Sequence, residues 1–139
     1  MHWRSVQGGW VVVLDRGDDL HASLKQAAGE AGIRSGAITA LGAVDDVQLA
    51  YWNLAAREYE RRDFDGDYEI GALVGNFALL DGQPFAHVHA VIGGRDFVAM
   101  TGHVMRARCS ATVEVFVHDY ASPVERRFVP EIGLNLCRL

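Results

Sequence analysis

The sequence predicts an α+β domain, with one main helix followed by many strands in a mostly antiparallel sheet that is long enough to curl into a barrel-like core or a sandwich. Three observations lead there. Only one segment has the apolar spacing of a helix. Almost everything after Ser35 is built of β-branched or alternating segments separated by Asp-Gly and Gly-Gly turns. Fifteen glycines in 139 residues favour the tight turns, bulges and close backbone contacts of a β-rich fold.

Gly9 to Leu14 (G-W-V-V-V-L) reads as a strand. Asp15-Arg16-Gly17-Asp18-Asp19 supplies a turn and an acidic helix start, with Asp18 or Asp19 as N-cap. Leu20, Leu24, Ala27, Ala28 and Ala31 then recur at helical spacing and Gly32 is the stop, with His21, Lys25 and Glu30 assigned to solvent. Ala37 to Val44 and Val47 to Trp52 form one long strand interrupted at Asp45-Asp46, or two in succession. Glu58 to Phe64 alternates and is closed by Asp65-Gly66-Asp67, and Tyr68 to Leu80 is a long apolar stretch closed by Asp81-Gly82. Phe85 to Ile92, Phe97 to Met100 and Ala111 to Val117 follow, with Gly93-Gly94 between the first two. Arg127 to Leu136 adds an edge strand, since Pro130 rules out a clean central one. No repeat, linker or low-complexity segment divides the chain. It therefore reads as one domain over 1–139, with a core at about 9–120 and a C-terminal edge segment at 126–139.

The net charge of −5 and the pI near 5.6 argue against a polyanion-binding surface. The basic residues at Arg61-Arg62, Arg106/Arg108 and Arg126-Arg127 are flanked by acids or apolar residues, so none reads as a nucleic-acid arm. Small molecules or proteins are the expected partners. Cys109 and Cys137 match neither a zinc knuckle nor a C-x-x-C pair, and read as buried, reduced thiols. No apolar run reaches the ~18 residues of a membrane span and none has signal-peptide form, so the expected location is cytoplasmic, with no membrane partner.

The chemistry-bearing residues are histidines. In Pro84-Phe85-Ala86-His87-Val88-His89-Ala90-Val91, the strand period of two puts His87 and His89 on one face and Ala86, Val88, Ala90 and Ile92 on the other. Two imidazoles two residues apart on a strand can chelate one divalent ion, with zinc the first choice. His103, in Thr101-Gly102-His103-Val104, comes back after Gly93-Gly94 and can reach the same face. Three imidazoles without a fourth protein ligand make an open site, the catalytic rather than the structural arrangement. An H-x-H pair is also compatible with ordinary hydrogen-bonded histidines.

Two carboxylates lie in apolar strands, Glu69 in Tyr68-Glu69-Ile70-Gly71-Ala72-Leu73 and Glu114 in Ala111-Thr112-Val113-Glu114-Val115. Either could orient an imidazole, add a ligand or carry a proton as a catalytic residue, or simply face solvent. Arg34, between helix and sheet, is a candidate to hold the carboxylate or phosphate of a substrate. Trp3, Trp10 and Trp52 are too scattered for a stacking platform and are assigned to the core or a subunit interface.

These residues also carry a resemblance. From about Gly9 to Val117 the chain resembles the PPC (plants and prokaryotes conserved) domain, through Ser35-Gly36-Ala37-Ile38-Thr39-Ala40-Leu41-Gly42-Ala43-Val44, Tyr68-Glu69-Ile70, Leu73-x-Gly75-Asn76, Gly82-Gln83-Pro84-Phe85-Ala86-His87-Val88-His89, Gly102-His103-Val104 and Ala111-Thr112-Val113-Glu114-Val115. The resemblance implies a curved, mostly antiparallel sheet with one helix, assembled as a homotrimer. It also implies that His87, His89 and His103 line a site near a subunit boundary where some prokaryotic members hold a zinc-like ion, with Glu69 and Glu114 at the family's acidic positions. In plant members the domain accompanies AT-hook motifs, whose Arg-Gly-Arg reads narrow A·T-rich grooves. No Arg-Gly-Arg occurs in this acidic chain, so DNA binding by the chain alone is not expected.

Three functions remain open at this level. One is a metal-dependent enzyme, a hydrolase or lyase acting on a small molecule. Another is a non-catalytic oligomerisation or interaction module associated with transcription. The last is a sensor that binds a metabolite in the same pocket without turning it over.

Overall fold

The helix forms where its sequence spacing puts it. In the computed structural model, which describes residues 1–139, α1 spans Leu20–Ala31. The Asp19 side chain accepts from the Ala22 N–H at 2.7 Å, and Gly32 ends the helix in the left-handed region at φ 70°. Leu20, Leu24, Ala27 and Ala28 are buried. The strands are β1 (His2–Val6), β2 (Gly9–Asp15), β3 (Gly36–Asn53), β4 (Glu58–Phe64), β5 (Tyr68–Leu80), β6 (Gln83–Gly93), β7 (Ala99–Asp119), β8 (Glu125–Val129) and β9 (Leu134–Arg138).

Their pairing closes on itself. β3 is hydrogen-bonded to β5 on one edge and β7 on the other, while β6 pairs with both β5 and β7. Strands β3, β5, β6 and β7 therefore close into a ring, in which β6 is paired on both edges over His89–Gly93 and with β5 alone before that. The two longest strands each hand one edge from one partner to another. Along β3, β5 is replaced by β4 beyond Val44, and along β7, β6 is replaced by β2 beyond His103. Such long strands must bend to close a ring. The register slips on both sides of Gly42, whose φ of 143° and close approach to the Val113 Cα, 2.7 Å from where a Cβ would sit, leave room only for glycine. A second slip lies at Asp45–Gln48, with Asp46 at φ 48°.

Inside the ring and under α1 lies one cluster of 26 buried residues, including Val88, Ala90 and Ile92 of β6, Val113, Val115 and Val117 of β7, and Ile38 and Leu73. The alternate positions of these strands face outward. Near the β3 bend, Arg108 pairs with Asp45 at 2.7 Å, and Arg106 with Asp46 at 2.9 Å and Asp63 at 3.1 Å, so this basic pair is occupied locally.

Several sequence expectations are settled or revised. Of the two readings of Asp45-Asp46, the single interrupted strand is the one observed: the pair forms a bulge, because hydrogen bonding to β7 resumes on its far side. Phe97 lies in the turn before β7, at φ 57° and exposed. The strand expected at Ala111 to Val117 is the far half of a strand beginning at Ala99, since β3 pairs with it throughout. Arg127 to Leu136 is not one strand but part of the β8–β9 hairpin, with Pro130 in its turn, and β1 was not expected. His21 is half-buried, not solvated, because its Nε2 donates to the Val104 carbonyl at 2.8 Å. Cys109 is buried, and burial pushes its thiol pKa up, but Cys137 is exposed on the outer hairpin. No helix is long and apolar enough to cross a membrane.

The backbone contacts separate two glycine substitutions. A Cβ on Gly75 would run into the His87 carbonyl oxygen and lie 2.6 Å from the Val88 Cγ1, whereas one on Gly29 meets nothing within 4 Å. Gly75→Ala is expected to destabilise the protein by about 1–3 kcal/mol. Gly29→Ala, inside the helix, is expected to stabilise it by about 0.5–1 kcal/mol. Denaturant unfolding of the two variants checks the opposite signs.

Candidate metal centre

Hydrogen-bond register brings the histidines together. His89 of β6 is paired directly with His103 of β7, and His87 lies one outward position further along β6, opposite Asn76 of β5. Because all three occupy outward positions, their rings converge. Centroids are 5.2 Å apart for His87–His89, 5.0 Å for His87–His103 and 5.3 Å for His89–His103. One donor nitrogen from each falls within 4.8 Å of the others. Donors on a tetrahedral zinc at about 2.0–2.1 Å stand about 3.4 Å apart, so small side-chain rotations separate this arrangement from ligation.

The surroundings distinguish the three rings. His89 is exposed, while His87 and His103 are half-buried. Burial pulls His87 down to about 4, helped by the positive charge of Arg126, and pulls His103 down to about 4, helped by the neighbouring His87 and His89. Both rings are therefore neutral near pH 7, the form that ligates a metal. Tyr59 of β4 stacks on His103 at 5.2 Å and is itself packed edge-on to Trp52 at 4.8 Å, which restrains the imidazole. The His103 Nδ1 is buried without a hydrogen-bond partner. An orphaned imidazole nitrogen beside two others is what a ligand set lacking its ion would present, so the residues fit a divalent metal.

Arg126, on β8, is the site residue that sequence reading missed. Its Nη2 donates to the Asn76 Oδ1 at 2.8 Å and to the His87 Nδ1 at 3.2 Å, and its Nη1 donates to the Asn135 carbonyl at 3.1 Å. With Nδ1 accepting, neutral His87 carries its proton on Nε2. Metal ligation by His87 therefore requires this hydrogen bond to be given up. No periodicity announced Arg126, because its position depends on the parallel contact of Leu79 with Glu125, a pairing between distant segments.

The other candidates are not gathered here. Glu69 and Glu114 are both exposed. Glu69 lies five positions along β5 from Val74, the partner of His89, roughly 16 Å at the rise of a strand. Glu114 stands opposite Val13 and Leu41, eleven positions along β7 from His103. Exposed Arg34 donates to the Ala121 carbonyl at 2.9 Å and braces the turn after β7. Beside the triad lies a cavity of about 510 Å³ whose wall includes His21 and Lys25 of α1, His87, His103 and Arg126.

Lowered histidine pKa values set a pH dependence. In metal-free protein the unfolded imidazoles, at their ordinary value of 6.5, bind more protons than the folded ones at about 4. Stability is then greatest above pH 6.5, falls as pH drops through this interval and levels off below about 4. Urea unfolding of chelator-treated protein across that range should show this loss, and His103→Gln should make the curve flatter.

A profile of the Plants and Prokaryotes Conserved (PCC) domain matches residues 3–121. No curated protein matches the chain. Among solved structures, it is similar to a metal-containing protein from Archaeoglobus fulgidus, with 30% identity, TM-score 0.86, and 94% of this chain and 93% of that one covered. It is also similar to a plant- and prokaryote-conserved (PPC) protein from Pyrococcus horikoshii, with 25% identity, TM-score 0.87, and 93% and 90% covered. A protein from Bacteroides thetaiotaomicron, described as a candidate DNA-binding protein, matches with 27% identity, TM-score 0.94, and 99% and 96% covered. The profile covers most of the chain and the fold is shared with these structures, and the chain belongs to the Plants and Prokaryotes Conserved (PCC) domain family.

Proposed function

We propose that this PCC-domain chain holds a divalent ion, zinc first, on His87, His89 and His103 and binds or processes a small molecule in the adjoining cavity. The observation that carries this reading is the convergence of three donor nitrogens within 4.8 Å. The buried, unpartnered His103 Nδ1 supports it, as does the similarity to a protein described as metal-containing. A bound divalent ion supplies Lewis acidity toward a ligand oxygen or lowers the pKa of water, the chemistry of a metal-dependent hydrolase or lyase. Tyr59 holds the His103 ring, and α1 with the β8–β9 hairpin walls the cavity. Within one chain neither Glu69 nor Glu114 stands beside the triad, so a proton-carrying role for either would fall to a neighbouring copy.

Assembly as a homotrimer belongs to the same proposal. Its physical support is an exposed apolar row on the outward face that carries the histidines. Phe116 pairs with Thr39, Thr39 with Val74 and Val74 with His89, and Phe116 and Val74 are 51% and 58% exposed. A row of this kind favours burial against another subunit.

The alternative is a non-catalytic interaction module linked to DNA-binding proteins, favoured by the description of the Bacteroides thetaiotaomicron protein. The net charge of −5 and the engagement of Arg106 and Arg108 by aspartates oppose direct phosphate contact.

Three measurements test these readings. Calorimetric titration of untagged, chelator-treated protein with zinc should give one ion per chain, and His89→Ala or His103→Ala should weaken it by at least about 100-fold. Equal affinity in wild type and variants would sink the metal site. Light scattering should give three times the 15.2 kDa chain mass. A gel-shift titration with duplex DNA should show no binding even at low salt; a retarded band would favour the alternative.

A further inference from the structure

The cavity beside the triad contains a buried cation with no counter-ion. Arg126 is only 8% exposed, and no carboxylate pairs with it, although Arg106, Arg108 and Arg127 all have acidic partners. Every group it does meet is uncharged. These are the Asn135 carbonyl, the Asn76 side-chain oxygen, the neutral His87 ring and the face of Phe85, whose centroid is 5.3 Å from the guanidinium carbon. Its Nε is buried and has no acceptor at all. A guanidinium removed from water without an anion is costly, and proteins seldom retain one unless something supplies the negative charge.

The rest of the wall points the same way. Lys25 and His21 reach it from α1, and none of the chain's 18 Asp and Glu residues lines it. A net-acidic protein has thus kept carboxylates out of the cavity that holds its buried arginine. Much of the remaining lining is apolar, with Leu80, Phe85 and Leu134 among it, and the volume of about 510 Å³ suits a small metabolite.

We propose that this cavity binds a small organic anion, a carboxylate on an apolar body, and that Arg126 receives the carboxylate. The planar fork of arginine matches a carboxylate in two parallel hydrogen bonds. The inference names the ligand class for the metal site proposed above and rests on that reading through one shared hydrogen bond. His87 can ligate only when Arg126 releases its Nδ1, and that release frees the Nη2 for an anion lying between the two positive centres. Ion and carboxylate therefore bind with positive coupling.

Calorimetry on the full chain tests this, with phenylacetate, its neutral counterpart 2-phenylethanol and inorganic phosphate as probes, each with zinc-loaded and chelator-treated protein. Phenylacetate should bind at least about tenfold more tightly than the alcohol, and more tightly with zinc than without. Arg126→Gln should remove that preference while retaining zinc stoichiometry, and Arg127→Gln should change neither. Equal binding of acid and alcohol overturns the inference and decides the matter even if Arg126→Gln does not fold. Tighter binding of phosphate than of phenylacetate overturns the carboxylate assignment. Zinc binding without any phenylacetate preference rejects this inference and leaves the metal site standing. Arg126-dependent phenylacetate binding without zinc binding upholds the anion pocket and rejects the metal.

Discussion

The pairing of His89 with His103 across β6 and β7 is the contact on which the site depends, and it lies where β6 is held on both edges. β6 runs into β7 through the short turn at residues 94–98, and β3 joins β5 to β7 on the other side, so the four strands close. Closure holds β6 on both edges at His89–Gly93 and leaves no room for a one-residue slip. Such a slip would turn Val88, Ala90 and Ile92 to solvent and the histidines into the apolar interior. Core packing and site geometry are therefore enforced by the same register, and the energy that buries the β6 valine, alanine and isoleucine also aims the imidazoles.

The two faces of these strands have been put to different uses. The inward face is apolar throughout and carries the stability of the fold. The outward face carries His87, His89 and His103 with Asn76, Tyr59 and an exposed apolar row. Between α1 and the β8–β9 hairpin this outward face becomes sheltered enough to lower two histidine pKa values to about 4. That shelter keeps the imidazoles neutral and leaves one of their nitrogens unpartnered, both conditions that favour a metal. It also buries Arg126, whose charge lowers His87 further and has no carboxylate to offset it. A cationic, carboxylate-free pocket beside neutral imidazoles is an unusual use of interior space in an acidic protein, and the metal and anion proposals both follow from it.

Much of this was legible in the residues. α1 follows the helical spacing from Leu20 and its Asp19 and Gly32 caps, and β4 and β5 run between the turn signals that bound them. The outward placement of His87 and His89 follows from strand alternation alone. Harder to read were features where local pattern and long-range pairing disagree. Asp45-Asp46 looks like a break, yet hydrogen bonding to β7 on its far side turns it into a bulge. Cys137 looks buried by its apolar neighbours, but it sits on an outer hairpin where one face has nothing to pack against.

Local chemistry, then, determined the elements, the α+β class and the face on which two histidines lie, because caps, turns and periodicity act within a few residues. Tertiary structure alone decided that Glu69, Glu114 and Arg34 stand apart within one chain and that Arg126 enters the site, and it gave the register that sets His103, which Gly93-Gly94 allowed to return, directly opposite His89. Each of those outcomes depends on which strand lies beside which and in what register. That choice is made by burial summed over the whole ring, and no short stretch of sequence contains it.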